Sequence, residues 1–540
     1  MNYNYAKANW TKFQNELRAY NPNIKINTNL TKEQINEHLH NIETKIIDAM
    51  EQAIPKPKAQ NSTDKYTTRR IRQLMNEERQ AISVSRKIHR TGAAGPHTRH
   101  ALKLLDNRIQ ALKKRIRSEI EKVVNDYWHT RIRQISPKQP DKMFREINQI
   151  FRKKGAVQLP TFKITESNTH LLHNANIDIT TLTKDDKDNL NINDTINKLD
   201  ILGSQYTTVY EQNTTLNDPR FRNIIENKYN QIIADISSSI PGTICNFSGS
   251  NSALSPAAIE PLPEYFTNCI QVRMKFKYLN NKKSAGNDKI PNLVLKKLPI
   301  NIITDYTILF NNLLNHAHFP DQWKKAKTLP IPKRGKEKSN PSSYRPISLL
   351  SNVGKVFERI INDRIIAMCD TKTLIPENQF GFRKHHSTTH AINKLSTDVN
   401  WALNKGACVG ACMVDLEKTF DTVWLNGLIV KLHRKEFPLI LIKLIHSMIY
   451  ERNFQICIGD AVSSQAYKIS NGLQQGTINS PILFTIYTSD ILKLFGPDNT
   501  GCCMIAFADD LIVYRADKTP KKVQSTLQKA IDKIFEYYKA

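Results

Sequence analysis

Between residues 102 and 123 the apolar positions Leu102, Leu105, Ile109, Leu112, Ile116, Ile120 and Val123 recur at intervals of three and four. That is the period of a helix with one apolar face. Lys and Arg crowd the intervening positions, so its outer face is basic. Shorter helical patterns occupy residues 1–52, and a Pro/Lys/Ser-rich link runs from Pro55 to Tyr66. Residues 156–263 are rich in Asn, Thr and Asp, with weak periodicity only between Asn189 and Leu202. They predict a loosely packed connector with no assignable chemistry, and residues 248–263 (SGSNSALSPAAIEPLP) read as a linker. Further on the pattern changes. Two apolar, β-prone runs, 503–507 and 511–514, flank the acidic pair Asp509–Asp510 and predict a hairpin with carboxylates at its tip. A second apolar run, 411–414, leads into Asp415 and a turn. Helices are expected over 388–403, with Ser387 as N-cap, and over 520–538.

Composition adds a partner class. Lys and Arg number 78 against 50 Asp and Glu, a net charge of +28 in 540 residues. Residues 65–154 alone carry 24 Lys/Arg against 8 Asp/Glu. A surplus this concentrated points to a polyanion, nucleic acid before membrane. No run approaches 18 apolar residues, which excludes a spanning helix, and the start has no apolar signal-peptide core. The eight cysteines show no CxxC pair or zinc spacing and read as reduced, buried thiols. Of 18 glycines, 12 fall between 286 and 501, which marks that stretch as the compact, turn-rich part.

The candidate chemistry lies there. A lone Asp-Asp is more often a turn than a site, and Asp415 alone serves equally well as a turn residue or helix N-cap. Two separate strands each ending in a carboxylate are another matter. Mg²⁺ takes hard oxygen ligands, usually one or two carboxylates with phosphate and water completing the shell. Two such ions can activate an attacking oxygen and stabilise a leaving one.

Asp415 with Phe420, then Asn471-Gly-Leu-Gln-Gln475-Gly476, then Phe507-Ala-Asp-Asp510, resembles the polymerase signature of reverse transcriptases. Upstream, Lys283-Ser-Ala-Gly286-Asn-Asp288, Leu329-Pro-Ile-Pro-Lys333, Ser343-Tyr-Arg345-Pro-Ile-Ser348 and Gln379-Phe-Gly381-Phe-Arg383 occur in the expected order. Together these segments, over about residues 264–540, resemble non-LTR (LINE-type) retrotransposon enzymes of the Jockey-like group. The resemblance implies an α+β right-hand polymerase: fingers at 264–404, and a palm at 405–540 built on an antiparallel sheet backed by helices. Residues 1–155 would be a basic helical, connector-like extension and 156–263 a polar linker region.

It also implies roles. Asp415, Asp509 and Asp510 match the catalytic, metal-binding carboxylates, for two Mg²⁺ ions with Mn²⁺ as substitute. Lys333 and Arg345 match positions that grip the incoming triphosphate, for which the Arg fork is suited. Phe420 matches the aromatic that abuts the sugar and rejects a ribose 2′-OH. Gln475 and Gly476 match the loop beneath the nucleotide. Phe380, Phe382 and Arg383 mix aromatic and basic character, which suits a template path. Asp421 stays secondary, and His385 and His386 read as surface residues. The implied partners are an RNA template, a DNA primer, dNTPs and an element-encoded RNA-binding protein, with no membrane. The implied setting is a cytoplasmic ribonucleoprotein that acts in the nucleus at integration. Gln474, Asn479, Ser284-Ala285 and Thr419 depart from the family pattern. The family's endonuclease and thumb motifs are not matched, so a fragment is expected. That leaves a catalytically inactive, nucleic-acid-binding remnant as the alternative. A maturase or an RNA-dependent RNA polymerase is the rival within the polymerases, disfavoured by Ser343–Ser348 and by Phe420 respectively.

Overall fold

The computed structural model describes residues 3–20, 30–56, 68–90, 95–133, 159–165, 168–179, 182–184, 189–211, 218–239, 265–416, 418–496 and 499–539. Helices α1 (Trp10–Arg18) and α2 (Lys32–Ala53) precede α3 (Arg69–Arg90) and α4 (Pro96–Arg133). Next come β1 (Phe162–Ile164), α5 (His170–Asn174), β2 (Thr183–Lys184), β3 (Leu190–Ile192), α6 (Thr195–Thr207) and α7 (Pro219–Ser239). Helices α8 (Cys269–Lys277), α9 (Asn292–Leu295), α10 (Ile300–Asn315) and α11 (Asp321–Lys324) lead into the hairpin β4 (Lys325–Pro332) and β5 (Tyr344–Leu349). After α12 (Asn352–Thr371) and α13 (Thr388–Asn404) the chain forms β6 (Cys408–Val414), α14 (Leu425–Arg434), α15 (Leu439–Ile449), β7 (Arg452–Ile458), β8 (Ala461–Val462) and β9 (Tyr467–Ile469). It ends with α16 (Ser480–Lys493), β10 (Cys503–Phe507), β11 (Asp510–Asp517) and α17 (Pro520–Lys539). The class is mixed helix and sheet, as the α+β reading expects.

Two compact units divide the chain: Met1–Ala8 with Pro55–Ala156, and Asn9–Ile54 with Val157–Ala540. In the first, α3 and α4 pack around Leu74, Leu112 and Ile116, while Lys113, Lys114, Arg115 and Arg117 stay exposed. This is the basic amphipathic helix that the spacing predicts. Among the described residues no helix is long and apolar enough to cross a membrane.

Helices α1 and α2 depart from the expected single extension over 1–155, because they belong to the second unit. The reason lies in α2's buried stripe. Ile35, Leu39, Ile42 and Ile46 are all fully buried, and the helix packs on α10. Its start is a capping box: Thr31 Oγ1 accepts from Gln34 N, and Gln34 Oε1 accepts from Thr31 N. Glu43 of α2 is buried and accepts a hydrogen bond from Trp323 Nε1 at 3.3 Å. Burial, with the charge of Asp288 adding to it, pushes its carboxyl up to about 8. The folded chain therefore holds a proton there from pH 4.5 to about 8 that the unfolded chain has lost, so this group's contribution to stability falls across that window. Glu43→Gln keeps the acceptor without the charge. It is expected to be more stable than the parent at pH 9, with the gap closing towards pH 5, in urea unfolding at both pH values.

The second departure is residues 159–211, expected as loose connector. The strands β1, β3 and β2 form a small antiparallel sheet in that order. Phe162, Leu171, Leu199 and Tyr206 share a core with Phe454 and Tyr467 of β7 and β9. A Cβ on Gly203 would lie 2.1 Å from the Tyr467 ring, so α6 approaches β9 only as glycine. The Tyr467 hydroxyl donates to Asp200 at 3.0 Å. The 248–263 linker lies outside the described residues.

Two further sheets frame the candidate site. Strands β5, β4, β7 and β8 lie in that order, with β9 also on β7; β4–β5 is antiparallel and β4–β7 parallel. The other sheet, β10–β11–β6, is antiparallel throughout. One face is covered by α16 and α17 through Ile491, Leu492, Ala530 and Ile534. The opposite face meets α13 through Ala391. Ser387 precedes α13 as expected but makes no side-chain capping bond.

Candidate active site

Strand register alone brings the acidic segments together. Leu511 pairs with Val414, so continuing the antiparallel ladder by one pair sets Asp510 opposite Asp415. Phe507 pairs with Asp510, which leaves Ala508 and Asp509 as the hairpin's two-residue loop. Only Ala508 of these two has positive φ, at 60°; this is the pattern of a II′ turn, whose first central position favours glycine. Asp415 and Asp510 are exposed and Asp509 is half-buried, with the Thr419 hydroxyl donating to Asp509 Oδ2 at 3.3 Å. Among the described residues no three His, Cys, Asp or Glu side chains converge closely enough to form a metal cage. The donors present are carboxylate oxygens with open surroundings. They fit a hard cation that takes one or two carboxylates and completes its shell from substrate and water.

The predicted nucleotide-contacting residues gather around the 471–476 loop. That loop is stitched to the segment after Asp415: Leu473 N donates to Phe420 O at 2.7 Å and Gly472 N to Val423 O at 2.9 Å. The Phe420 ring lies tilted by 34° against that of Phe484, with centroids 4.8 Å apart. Gln475 Nε2 donates to both Asp421 oxygens, at 3.3 and 3.2 Å. Asp421 is buried, and that burial pushes its carboxyl up to about 6 against the opposing Gln475 bond. Gly476 has φ 100°, and a Cβ there would sit 2.9 Å from Ser348 O of β5, so the loop lies directly against the β4–β5 hairpin. Arg345 is exposed on β5 opposite Ile331. Lys333 follows β4, and its ammonium donates to Ser342 O at 2.8 Å across the hairpin loop.

The template-path reading of 380–383 needs correction. Phe380 is 8% exposed and packs with Ile505, Tyr514 and Ala391, so its ring has no face for a base. Arg383 donates to the carbonyls of Pro376 and Gln379 at 3.2 and 3.4 Å, which holds the loop together. Phe382 alone is exposed, edge-on to Phe420 with centroids 6.1 Å apart.

Sequence reasoning missed the support beneath the 471–476 loop. Arg452 donates to Gln474 Oε1 at 2.9 Å and to Glu358 Oε1 at 3.3 Å, while Glu358 Oε2 accepts from Ile478 N at 2.7 Å. Gln474, where the family pattern has proline, also donates to Ser348 Oγ at 3.4 Å. Thr419 and Gln474 are thus two departures that make polar contacts in the site. The pair left no distinct signal in the sequence: Glu358 stands beside Arg359, and Arg452 lies between Glu451 and Asn453, so neither reads as a buried charge.

A family model described as reverse transcriptase (RNA-dependent DNA polymerase) matches residues 331–540. Residues 331–540 form a reverse transcriptase domain. The sheet β10–β11–β6, with Asp415 just past β6, Asp509 in the hairpin turn and Asp510 at the start of β11, lies wholly within this domain, as does the 471–476 loop. The chain is 34% identical over 258 residues to the RNA-directed DNA polymerase from mobile element jockey of Drosophila melanogaster, which is 46% of this chain and 28% of that relative. It is 31% identical over 266 residues to the probable RNA-directed DNA polymerase from transposon BS of the same organism, 49% of this chain and 29% of the relative. It is 35% identical over 241 residues to the probable RNA-directed DNA polymerase from transposon X-element, again from Drosophila melanogaster, 44% of this chain and 26% of the relative. The Jockey-like resemblance read from the motifs is borne out. The chain spans less than a third of the length of these relatives.

Proposed function

We propose that this chain is an RNA-directed DNA polymerase of a Jockey-like non-LTR element, adding deoxynucleotides to a primer 3′-OH on an RNA template. The observation that carries this reading is the register that sets Asp510 opposite Asp415, with Asp509 beside them in the turn. In this reading residues 405–540 are the palm and 264–404 the fingers. Asp415, Asp509 and Asp510 would hold Mg²⁺, which when bound supplies activation of the attacking oxygen and neutralisation of phosphate charge. The primer 3′-oxygen forms a bond to the α-phosphorus as the bond to pyrophosphate breaks. Arg345 on β5 faces solvent and is suited to grip the triphosphate by its fork. Lys333 joins it by exchanging the Ser342 carbonyl for phosphate. Gln475 and Gly476 form the floor under the nucleotide, and Phe382 offers a ring to the template. The exposed cations of α4 suit the backbone of an RNA–DNA duplex, read by charge and not by sequence. Work at a chromosomal target would set the reaction in the nucleus, within a ribonucleoprotein.

Primer extension by the purified chain on an RNA template, with dNTPs and Mg²⁺ or Mn²⁺, tests this reading. Added nucleotides are expected. Primer–template binding with no addition at any metal concentration would reject it in favour of a binding remnant.

Phe420 is assigned to exclude the ribose 2′-OH, a clash worth about 1–3 kcal/mol. Phe420→Val is accordingly expected to raise rNTP use relative to dNTP by roughly ten- to hundred-fold, measured as the ratio of kcat/KM values. An unchanged ratio would remove Phe420 from that role, and rNTP preference in the parent chain would favour an RNA polymerase.

A further inference from the structure

The turn carrying Asp509 and Asp510 is not secured by its own sequence. Its first central residue is Ala508, at φ 60°, a conformation that costs an L-residue roughly 1–2 kcal/mol. Something else must hold it, and the residue in contact is distant in sequence. Gln379 is 1% exposed. Its Oε1 accepts from Ala508 N at 3.1 Å and from Gly381 N at 2.8 Å, and its Nε2 reaches Ala508 O at 3.5 Å. One side-chain amide thus addresses both backbone groups of the strained residue, as a neighbouring strand would.

The surrounding backbone continues that pairing. Phe380 N donates to Ala506 O at 2.8 Å and Ala506 N to Asn378 O at 2.9 Å, a parallel bridge along the edge of β10. The approach depends on Gly381, where a Cβ would stand 2.1 Å from Ala508 N. A buried amide lacking partners would be costly, so these bonds fix where the amide sits as firmly as they fix the turn.

We infer that Gln379 is a positioning residue for the carboxylate turn: it holds Ala508 in its strained conformation and so sets where Asp509 and Asp510 project. The inference rests on the polymerase reading for its catalytic consequence, though the clamp itself stands without it. Gln379 is buried and touches neither carboxylate in the hydrogen bonds described, so it acts through the backbone.

The test compares Gln379→Ala, Gln379→Glu, Ala508→Gly and the Gln379→Ala/Ala508→Gly double variant in the full chain. Single-nucleotide addition gives kcat and dNTP KM, and amide hydrogen exchange reports on Ala508. Gln379→Ala is expected to lower kcat about ten- to hundred-fold, the cost of a displacement of about 1 Å, with KM little changed and Ala508 exchange accelerated. Gln379→Glu keeps an acceptor for both N–H groups in the same space and should retain more activity. Glycine adopts positive φ freely, so the double variant should recover most of the lost kcat. A merely structural glutamine would not be rescued by a glycine in the turn. Unchanged kcat in Gln379→Ala, equal losses in Ala and Glu, or no rescue would each overturn the inference. Should the parent chain add no nucleotides, the polymerase reading fails, and Ala508 exchange alone decides the clamp: acceleration in Gln379→Ala upholds it and unchanged exchange overturns it.

Discussion

Asp415→Asn is expected to cut single-nucleotide addition by about 10³-fold or more while primer–template binding stays within a factor of two or so of the parent. Asparagine has the shape of aspartate without its charge, so the change isolates what the charge does. A bound divalent cation contributes several kcal/mol of charge stabilisation in the transition state, and about 4 kcal/mol corresponds to roughly 10³-fold in rate. Asp415 is exposed just beyond the end of β6, and surface substitutions of that kind usually move stability by less than about 0.5 kcal/mol. Loss of activity would therefore not be loss of fold, and an unchanged urea midpoint checks it. Asp510→Asn, across the register, should behave alike. Asp421→Asn provides the contrast, because that carboxylate is buried and its hydrogen bonds go to Gln475. It should act chiefly on dNTP KM. If Asp415→Asn kept more than a tenth of parental activity, the assignment of Asp415 to the catalytic machinery would be wrong.

The acidic hairpin was legible because its information is local. Apolar runs on both sides of Asp509–Asp510 predict strands, and β10 and β11 follow. The basic helix α4 and the helices α13 and α17 were legible for the same reason, since a three-four period repeats over several turns. Residues 159–211 were not. Strands of two or three residues offer too few positions for alternation, and their core is completed by Phe454 and Tyr467, more than 240 residues further on. The template-path reading failed at finer grain. Phe380 and Phe382 stand two apart, and their chemistry is identical; what separates them is the Gly381 approach to Ala508, which turns one ring into the core and leaves the other in solvent. Gln379 and Arg452 were invisible because a buried polar residue takes its meaning from its partner, and the partners lie 129 and 94 residues away.

Breaking the Glu358–Arg452 pair is expected to destabilise the chain by about 3–5 kcal/mol from either side, because each single change leaves a buried charge without its counterpart. Arg452 and Glu358 are 3% and 2% exposed. The guanidinium is further enclosed by Phe319, whose ring centroid lies 5.5 Å away, and it donates to Met448 O at 2.6 Å. Burial lowers the Arg452 pKa and Glu358 opposes that shift. Glu358→Gln preserves shape but removes the counter-charge; Arg452→Met preserves length but strands the carboxylate. The paired change Glu358→Leu/Arg452→Met should cost clearly less than the sum of Glu358→Leu and Arg452→Met, since an apolar pair of similar volume avoids the desolvation penalty. It should not restore function equally. Gln474 would lose its Arg452 bond and Ile478 N its acceptor, so the loop carrying Gln475 and Gly476 would be stable yet less well held, and dNTP KM should rise more than kcat falls. Urea unfolding of the four chains, beside dNTP titrations, separates these effects. Additive single losses below about 1 kcal/mol would mean that the pair is solvated and is not the support on which the nucleotide loop rests.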